Sequence, residues 1–587
     1  MLNYLAAVIN LNHPQHYLNW SFFTISVANL IIIALMIVIF GLAIMLPFPK
    51  TKLQPPLPEH QDPDESNVSA EDKKMLTYKV RHFFLHILPP TKLLPDRQPA
   101  YVASWIYVFG VATLAALGVV ILSGAVLAIG GVNWWHESSL GHFVNSAHLW
   151  SVELFMAFMV IHLWGKFWMA AWRGKRALTW MTGVLAFAIS ILESFTGYLS
   201  QQNFDSQWIA TNGKDAINAT GLGSFFNLMN FGQMLTWHIV IIPILLLSFV
   251  TVHIVLVRVR GVSHPIQKAH GRAEKKALKK AEAGEWRGAT KRYDIIKEGS
   301  LATLIVLALV LVLAGLFSSP DEPPVTISTW AKIAPADFMA TATSELAGTS
   351  ETAKYGPPYN NTPNVSQKLI VSWESLAGVH QPIKTAQAFV LQPLQKLAPG
   401  NSSLQAALNR YNKASSAQQK VWDQAYLQAV DKVSFKNGKP IVPNANDGPV
   451  PTLISNELTL AQSGAIDADL LAEAPFYGTD YTKPLLFIED GNYFASLAKA
   501  QHMTGEQWGV MNESGSFPGQ PWLWLYTLWY QIPSFSTSFN VDLIAIYLTG
   551  LATMLLLAVP FIPGIRDIPK WIPVHRLIWR QWRSNKS

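Results

Sequence analysis

Seven apolar stretches dominate this chain, and each is long enough to cross a lipid bilayer, which takes about 20 residues of helix. They lie near 24–47, 104–130, 146–170, 181–199, 234–258, 299–318 and 540–563. Composition agrees: 50% of the residues are hydrophobic and only 14% are charged, against about 25% charged in soluble globular domains. The expectation is an all-α membrane protein. The first stretch follows an uncharged beginning, Met1 to Thr24, with neither a basic leader nor a small-residue cleavage site. It reads as a retained helix rather than a signal peptide.

Lysine and arginine then orient the spans. The segment 48–103 carries Lys50, Lys52, Lys73, Lys74, Lys79, Arg81, Lys92 and Arg97, and the turn after the third stretch has Lys166, Arg173, Lys175 and Arg176. Twelve more fall in 258–298 and six from Arg566 onward, whereas 1–24 and 131–147 have none and 198–236 has only Lys214. Every second loop is positive, which predicts an N-terminus outside and a C-terminus inside. The net charge of +7 is thus a matter of sidedness, and nucleic acid is not an expected partner. The basic run Lys268 to Lys280, interleaved with Ala and Glu, reads as a solvated inner helix between two spans.

Segment 319–520 breaks the pattern. It is polar, with Pro320, Pro323, Pro324, Pro357 and Pro358 and only thirteen Lys or Arg in about 200 residues. The alternation puts it outside, and its length calls for a structured domain. Leu404, Leu408, Tyr411, Val421, Tyr426, Leu427 and Val430 recur at helical spacing after Pro399–Gly400–Asn401, so the insert is expected to be mainly helical.

The absence of cysteine excludes disulfides, thiolate zinc sites, a Cys nucleophile, Cys-held iron–sulfur clusters and thioether-attached haem. Any metal must be held by His, Met or carboxylates. His148 and His162 stand fourteen residues apart in the third stretch, and His238 and His253 fifteen apart in the fifth. At about 100° per residue these intervals return to within roughly 40–60° of one face, with a rise of about 21–22 Å. Both stretches run the same way, so His148 pairs with His238 at the outer level and His162 with His253 at the inner one. Imidazole pairs across a helix bundle suit axial ligation of haem iron, and two levels suit two haems. A single intramembrane His is more often a hydrogen-bonded packing residue, but four at matched depths are costly in hydrocarbon and point to function. Zinc fits poorly, because neither level offers a third ligand. Gly110 and Gly124 in the second stretch, and Gly183 and Gly197 in the fourth, repeat the interval of fourteen. They would open grooves for a flat ring; the competing reading is small-residue helix packing.

This pattern resembles the cytochrome b family of the quinol-oxidising bc and b6f complexes, well over 104–320 and weakly over 520–563. The glycine pairs and the four histidines carry the resemblance, together with Thr179-Trp180, Thr196-Gly197-Tyr198 and the step from His238 to Pro243. The continuation from His253 through Arg258, Gly261 and Ser263 to Pro265 looks most like the plastid and Firmicute branch, with two further spans fused on. The resemblance implies two non-covalent haems b at His148/His238 and His162/His253, quinone and quinol as reactants, and service as a subunit of a respiratory quinol oxidoreductase. It also implies a Rieske iron–sulfur protein and a c-type cytochrome as partners, homodimerisation, and a multi-pass place in a bacterial or archaeal plasma membrane. The expected division is 1–103 first helix and cytoplasmic linker, 104–260 dihaem four-helix bundle and 261–298 basic linker. It continues with 299–318 sixth helix, 319–520 outer insert and 521–587 Trp-rich segment, seventh helix and basic tail.

Departures from the family are specific. Its outer quinol site is marked by Pro-Glu-Trp-Tyr, whereas here Gln520-Pro521-Trp522-Leu523-Trp524-Leu525-Tyr526 supplies no carboxylate in either registration. Leu199-Ser200-Gln201-Gln202 stands in place of a Leu-Pro-Trp-type turn. Phe143-Val144-Asn145 stands where the family has an Arg near a haem propionate. The insert falls on the side where a Rieske head would dock, and the family's last helix does not follow the seventh span. Glu193 is the candidate proton relay in place of the missing Glu, with Trp524 and Tyr526 as candidate outer-site residues. Arg258 is the candidate inner-rim contact to a propionate or quinone oxygen. His136 and His142 are expected at the surface, and the Trp-rich segment as an interfacial aromatic belt. Three roles are compatible: a quinol-oxidising cytochrome b subunit, a dihaem conduit of another respiratory assembly that lacks classical outer-site chemistry, and a haem-bearing scaffold.

Overall fold

The computed structural model describes residues 8–11, 13, 16–50, 53, 55, 74–87, 89–267, 271–397, 399–436, 438–443, 446–471, 479–504, 514–519 and 523–584. Gln520, Pro521 and Trp522 of the Trp-rich segment lie outside the described residues. The protein is an all-α, multi-pass membrane protein, and among the described residues seven helices are long and apolar enough to span a membrane: Val27–Met45, Trp105–Gly130, Ser139–Trp168, Ala177–Leu199, Phe231–Arg260, Ile295–Phe317 and Val541–Ala558. The third begins seven residues before its apolar run, because the Ser138 hydroxyl caps it by accepting from the Gly141 N–H at 3.4 Å. The fifth likewise starts at Asn230, whose side chain accepts from the Gln233 N–H at 2.8 Å. Capping extends both helices into polar sequence that a hydropathy reading leaves in the loops.

Spans two and three pack against each other, as do spans four and five, and the two pairs form the central bundle. Span six lies against spans two and three, and span seven against span four. Opposite the insert, the basic loops close on one another. Arg97–Pro99 pairs antiparallel with Thr290–Arg292. The Arg176 guanidinium donates to the Gly261 carbonyl at 2.9 Å, and Arg583 to the Ile266 carbonyl at 3.1 Å. The positive segments therefore share one end of the bundle and the insert occupies the other.

The insert is helical, with one short hairpin, Ser434–Lys436 against Lys439–Ile441. The periodic stretch expected from Ser402 is broken into Ser402–Lys413 and Ser416–Val430. Ser415 stops the first helix and caps the second through Gln418 N–H at 3.3 Å. Trp330, Phe338, Phe389 and Phe487 form the insert's aromatic centre, with Phe389 and Phe487 stacked at 5.2 Å and Trp330 and Phe338 edge-on at 5.0 Å. The insert is bolted to the helix Phe204–Ala219 between spans four and five. Gln207 exchanges both side-chain hydrogen bonds with the Val325 backbone at 3.0 and 2.8 Å. The Trp208 indole donates to the Met503 carbonyl at 2.7 Å, and Asp205 accepts from the N–H and hydroxyl of Ser514 at 2.9 and 2.8 Å.

One buried acid in this domain stands out. Glu457 is fully buried, and neither carboxylate oxygen has a hydrogen-bond partner among the described residues. Burial raises its pKa well above the usual carboxylate range, so the neutral acid is the folded form. Stability from this group is full below the unfolded-state value of about 4.3 and falls as pH rises toward the folded-state pKa. Glu457→Gln should remove that decline and stabilise the domain at pH 7 by about 1–3 kcal/mol. Thermal unfolding of both proteins at pH 5 and pH 8 checks it: the difference should be larger at pH 8.

Candidate functional site

At the end of the bundle nearer the insert, His148 of span three and His238 of span five face each other. Their ring centres are 6.2 Å apart and their planes 86° apart. An ion held at about 2 Å by one nitrogen of each imidazole leaves the ring centres about 6 Å apart. The other nitrogens are already engaged. The Ser123 hydroxyl donates to the Val119 carbonyl at 2.7 Å, so at 3.0 Å from His148 Nδ1 it accepts that nitrogen's proton. His238 Nδ1–H points to the Glu193 carbonyl at 3.0 Å, with Glu193 Oε1 at 3.2 Å. In span five's other half, His253 Nδ1–H points to the Thr179 carbonyl at 2.9 Å. A proton fixed on Nδ1 leaves Nε2 with its lone pair, the arrangement that orients metal-binding imidazoles. His162 Nδ1 is buried without a protein partner.

The four glycines meet the four rings. A Cβ at Gly124 would lie 3.1 Å from His148 Cε1, at Gly110 3.0 Å from His162 Cε1, at Gly183 2.9 Å from His253 Cε1 and at Gly197 2.5 Å from His238 Cε1. Each histidine is thus received by a glycine on the helix its own helix pairs with. The glycines were expected to clear grooves for a flat ring; in the structure the ring they admit is imidazole. The unequal intervals also find a reason. Span five contains a π-turn at Trp237–Ile241, just before Pro243. Proline lacks the N–H of a regular helical bond, and the widened turn absorbs one residue. Fifteen residues in span five therefore match fourteen in span three.

A cavity of about 300 Å³ lies between the pairs at this level, lined by His148, His238, Gly124, Gly197, Glu193 and Phe155 among others. Its residues toward the insert include Trp135, Asn145, Gln201, Asn203, Ser319 and Pro320, and among the described residues no Lys or Arg lines it. Asn145 and Gln201 bond reciprocally across its mouth at 3.1 and 3.2 Å. Glu193 is brought to the His238 ring, and its Oε2 is buried without a partner. Among the described residues no three His, Cys, Asp or Glu side chains cluster as a metal site, which leaves two-histidine ligation as the metal chemistry on offer.

Other expected residues lie apart from this cavity. Trp524 is half-buried on a cluster that includes Met36 and Ile161, and the Trp529 indole donates to Thr549 Oγ1 at 3.0 Å. The described part of the Trp-rich segment is therefore packed on the spans, with Trp524 and Trp529 partly exposed. The Tyr526 hydroxyl meets Tyr530 at 2.8 Å, and Tyr530 donates to Asp542 at 2.6 Å. Arg258 sits near the far end of span five, partly exposed. His136 and His142 are not surface residues: His142 is buried and His136 half-buried. The expectation failed because the insert folds back over their loop, placing Asp321 2.7 Å from His136 Nδ1. Sequence reasoning also missed Ser123, although it adjoins Gly124, and the charged residue Glu153 in span three; Lys166, expected in the turn that follows, lies in the same helix. Glu153 is buried, and the Lys166 ammonium lies 4.6 Å from the centre of the Tyr107 ring.

Residues 153–324 match the family described as Cytochrome b(N-terminal)/b6/petB. Cytochrome b6 of Heliobacterium modesticaldum is 27% identical over 142 residues, which are 22% of this chain and 67% of that protein. The cytochrome bc complex cytochrome b subunit of Chlorobaculum thiosulfatiphilum is 25% identical over 288 residues, 45% of this chain and 64% of that protein. The menaquinol:cytochrome c reductase cytochrome b subunit of Bacillus subtilis is 27% identical over 187 residues, 28% of this chain and 84% of that protein. The likeness expected from the histidine and glycine motifs to the cytochrome b family is therefore found.

Proposed function

We propose that this chain, through its cytochrome b-like bundle, is the dihaem subunit of a respiratory quinol oxidoreductase, moving electrons across the membrane. The observation that carries the reading is the set of four glycine-seated histidines, three of them with Nδ1 already bonded and Nε2 left available. His148 with His238, and His162 with His253, would each hold one haem b, which supplies a one-electron couple when bound. The chain's own part is to fix four imidazoles on rigid helices, to keep water from the two levels, and to space them by about 21 Å along the helices. The insert and N-terminus then lie outside the cell and the basic loops inside, as the charge alternation favours. Glu193 is the group positioned to take or hold a proton beside the His238 ring. Arg258 is the candidate for an anionic ligand at the opposite rim, Trp524 and Tyr526 are candidates for the outer quinol region, and a Rieske protein and a c-type cytochrome are the expected partners.

A second reading has its own support. The insert buries the helix Phe204–Ala219, and neither Leu523 nor Trp522, which take the place of the family's carboxylate in the two registrations, is acidic; both points favour a conduit without classical outer-site bifurcation. Adding a quinol to the purified complex separates the two. Haem reduction that requires a Rieske subunit supports the first reading, and haem reduction in a complex lacking one supports the second.

The glycine seats give a graded test. Gly197→Ala places a methyl group 2.5 Å from His238 Cε1, too close without displacing the ring. It should lower haem occupancy at that level severalfold, whereas Gly118→Ala, where nothing lies within 4 Å of the added carbon, should leave occupancy unchanged. Haem absorbance per chain after purification reads the difference.

A further inference from the structure

A haem b carries two carboxylates, yet among the described residues no Lys or Arg lines the cavity at the His148/His238 level. The groups that can become positive there are one layer back. His136 Nδ1 lies 2.7 Å from Asp321 Oδ1 and its Nε2 lies 2.6 Å from the Gln201 carbonyl. Both are acceptors, so the pair of contacts is satisfied only when both ring nitrogens carry protons. The Trp135 indole N–H also points at His136 Nε2, at 3.2 Å. That contact suits the neutral ring, whose Nε2 accepts. One histidine thus has a partner set for each protonation state, and two of those partners, Trp135 and Gln201, themselves line the cavity. Glu193 and Tyr198 line the cavity itself, and among the described residues the other charged or titratable groups around His136 are few. They are Asp321 and Glu322 at the start of the insert, Glu137 on its own helix, Asp205 on the helix Phe204–Ala219, and His142 of span three. His142 Nδ1 lies 3.5 Å from Asp321 Oδ2, and its Nε2 lies 2.8 Å from the Ser318 hydroxyl.

We propose that His136, held by Asp321, is the titrating positive charge of this cavity and makes the reduction potential of the group bound there depend on pH. The inference rests on the haem reading of the His148/His238 pair. Burial alone would lower the His136 pKa, but the hydrogen bond and charge of Asp321, the Gln201 carbonyl and Glu137 outweigh it and raise it above the ordinary value. Asp321 is held down at about 2 by its contacts with two histidines, against the effect of burial, and so stays ionised as the counter-charge of His136. Reduction adds one negative charge to the cavity, and a positive His136 favours it. Loss of the proton should weaken reduction on the order of tenfold in equilibrium constant, as removing a nearby unit charge from a protein interior does. The sign is fixed: the potential falls as pH rises through the His136 pKa and is flat on either side.

Redox titration of the purified full-length protein between pH 5.5 and 9, followed by haem absorbance, tests this. In the unsubstituted protein one of two potentials should fall with pH across the histidine range. His136→Gln should keep both haems and hold that potential flat at its high-pH value. His136→Arg should hold it flat at its low-pH value, and Asp321→Asn should move the transition to lower pH. A potential that titrates unchanged in His136→Gln, or two haems whose potentials ignore pH in the unsubstituted protein, overturns the proposal while leaving the haem reading intact. A purified protein without haem absorbance overturns the haem reading and this inference with it.

Discussion

His238→Leu should abolish one of two b-type haems and leave the other. Leucine keeps the apolar volume of the site but removes the nitrogen that faces His148, whose ring centre is 6.2 Å away. It also frees the Glu193 carbonyl and carboxylate from their contact with the His238 ring. The remaining pair, His162 and His253, stands about four helical turns from this change, a rise of about 21 Å, and has its own glycine seats. The reduced-minus-oxidised spectrum should therefore drop to half its amplitude per chain, and His162→Leu should remove the complementary half. Equal loss of both components in either variant would mean that the two levels do not bind independently.

Lys214→Ala should loosen the insert. This lysine, 4% exposed, lies on the helix Phe204–Ala219 and reaches Glu489 of the insert at 2.7 Å and Asp215 at 3.1 Å. Asp215 in turn accepts from the Tyr355 hydroxyl of the insert at 2.6 Å, and Asn218 donates to that hydroxyl at 3.0 Å. Burial opposes the lysine's charge, but Asp215 and Glu489 together hold its pKa above the ordinary range. Removing one partner of such a buried pair leaves the other charge uncompensated and costs about 3–5 kcal/mol. Limited proteolysis should then cut within 319–520 far faster than in the unsubstituted protein, while the haem spectrum changes little. Lys214→Met combined with Glu489→Leu should restore much of the resistance, because the pair is replaced by apolar groups rather than broken.

Much of the bundle was legible because membrane burial writes strong signals. Seven apolar runs, alternating basic loops and four histidines at matched depths require no knowledge of tertiary contacts. The intervals between His148 and His162 and between Gly110 and Gly124 could be read on a helical wheel. What receives what could not: the glycines admit imidazoles, and the π-turn before Pro243 reconciles fourteen residues with fifteen only once the backbone is seen. The polar parts were less legible because their burial comes from contacts far apart in the chain. His136 and His142 looked like loop residues, and Asp321, 185 positions beyond His136, draws them inside. The break at Ser415 was masked because helical spacing runs on across a two-residue interruption. Glu153 escaped attention because it is a single charge within a long apolar helix.

The measurement that bears most directly on the account is the haem content of the purified chain, by reduced-minus-oxidised spectroscopy and extraction. The account predicts two non-covalent haems b per chain, both low-spin and both released by acid extraction. One haem per chain, or none, would contradict the assignment of the two histidine pairs.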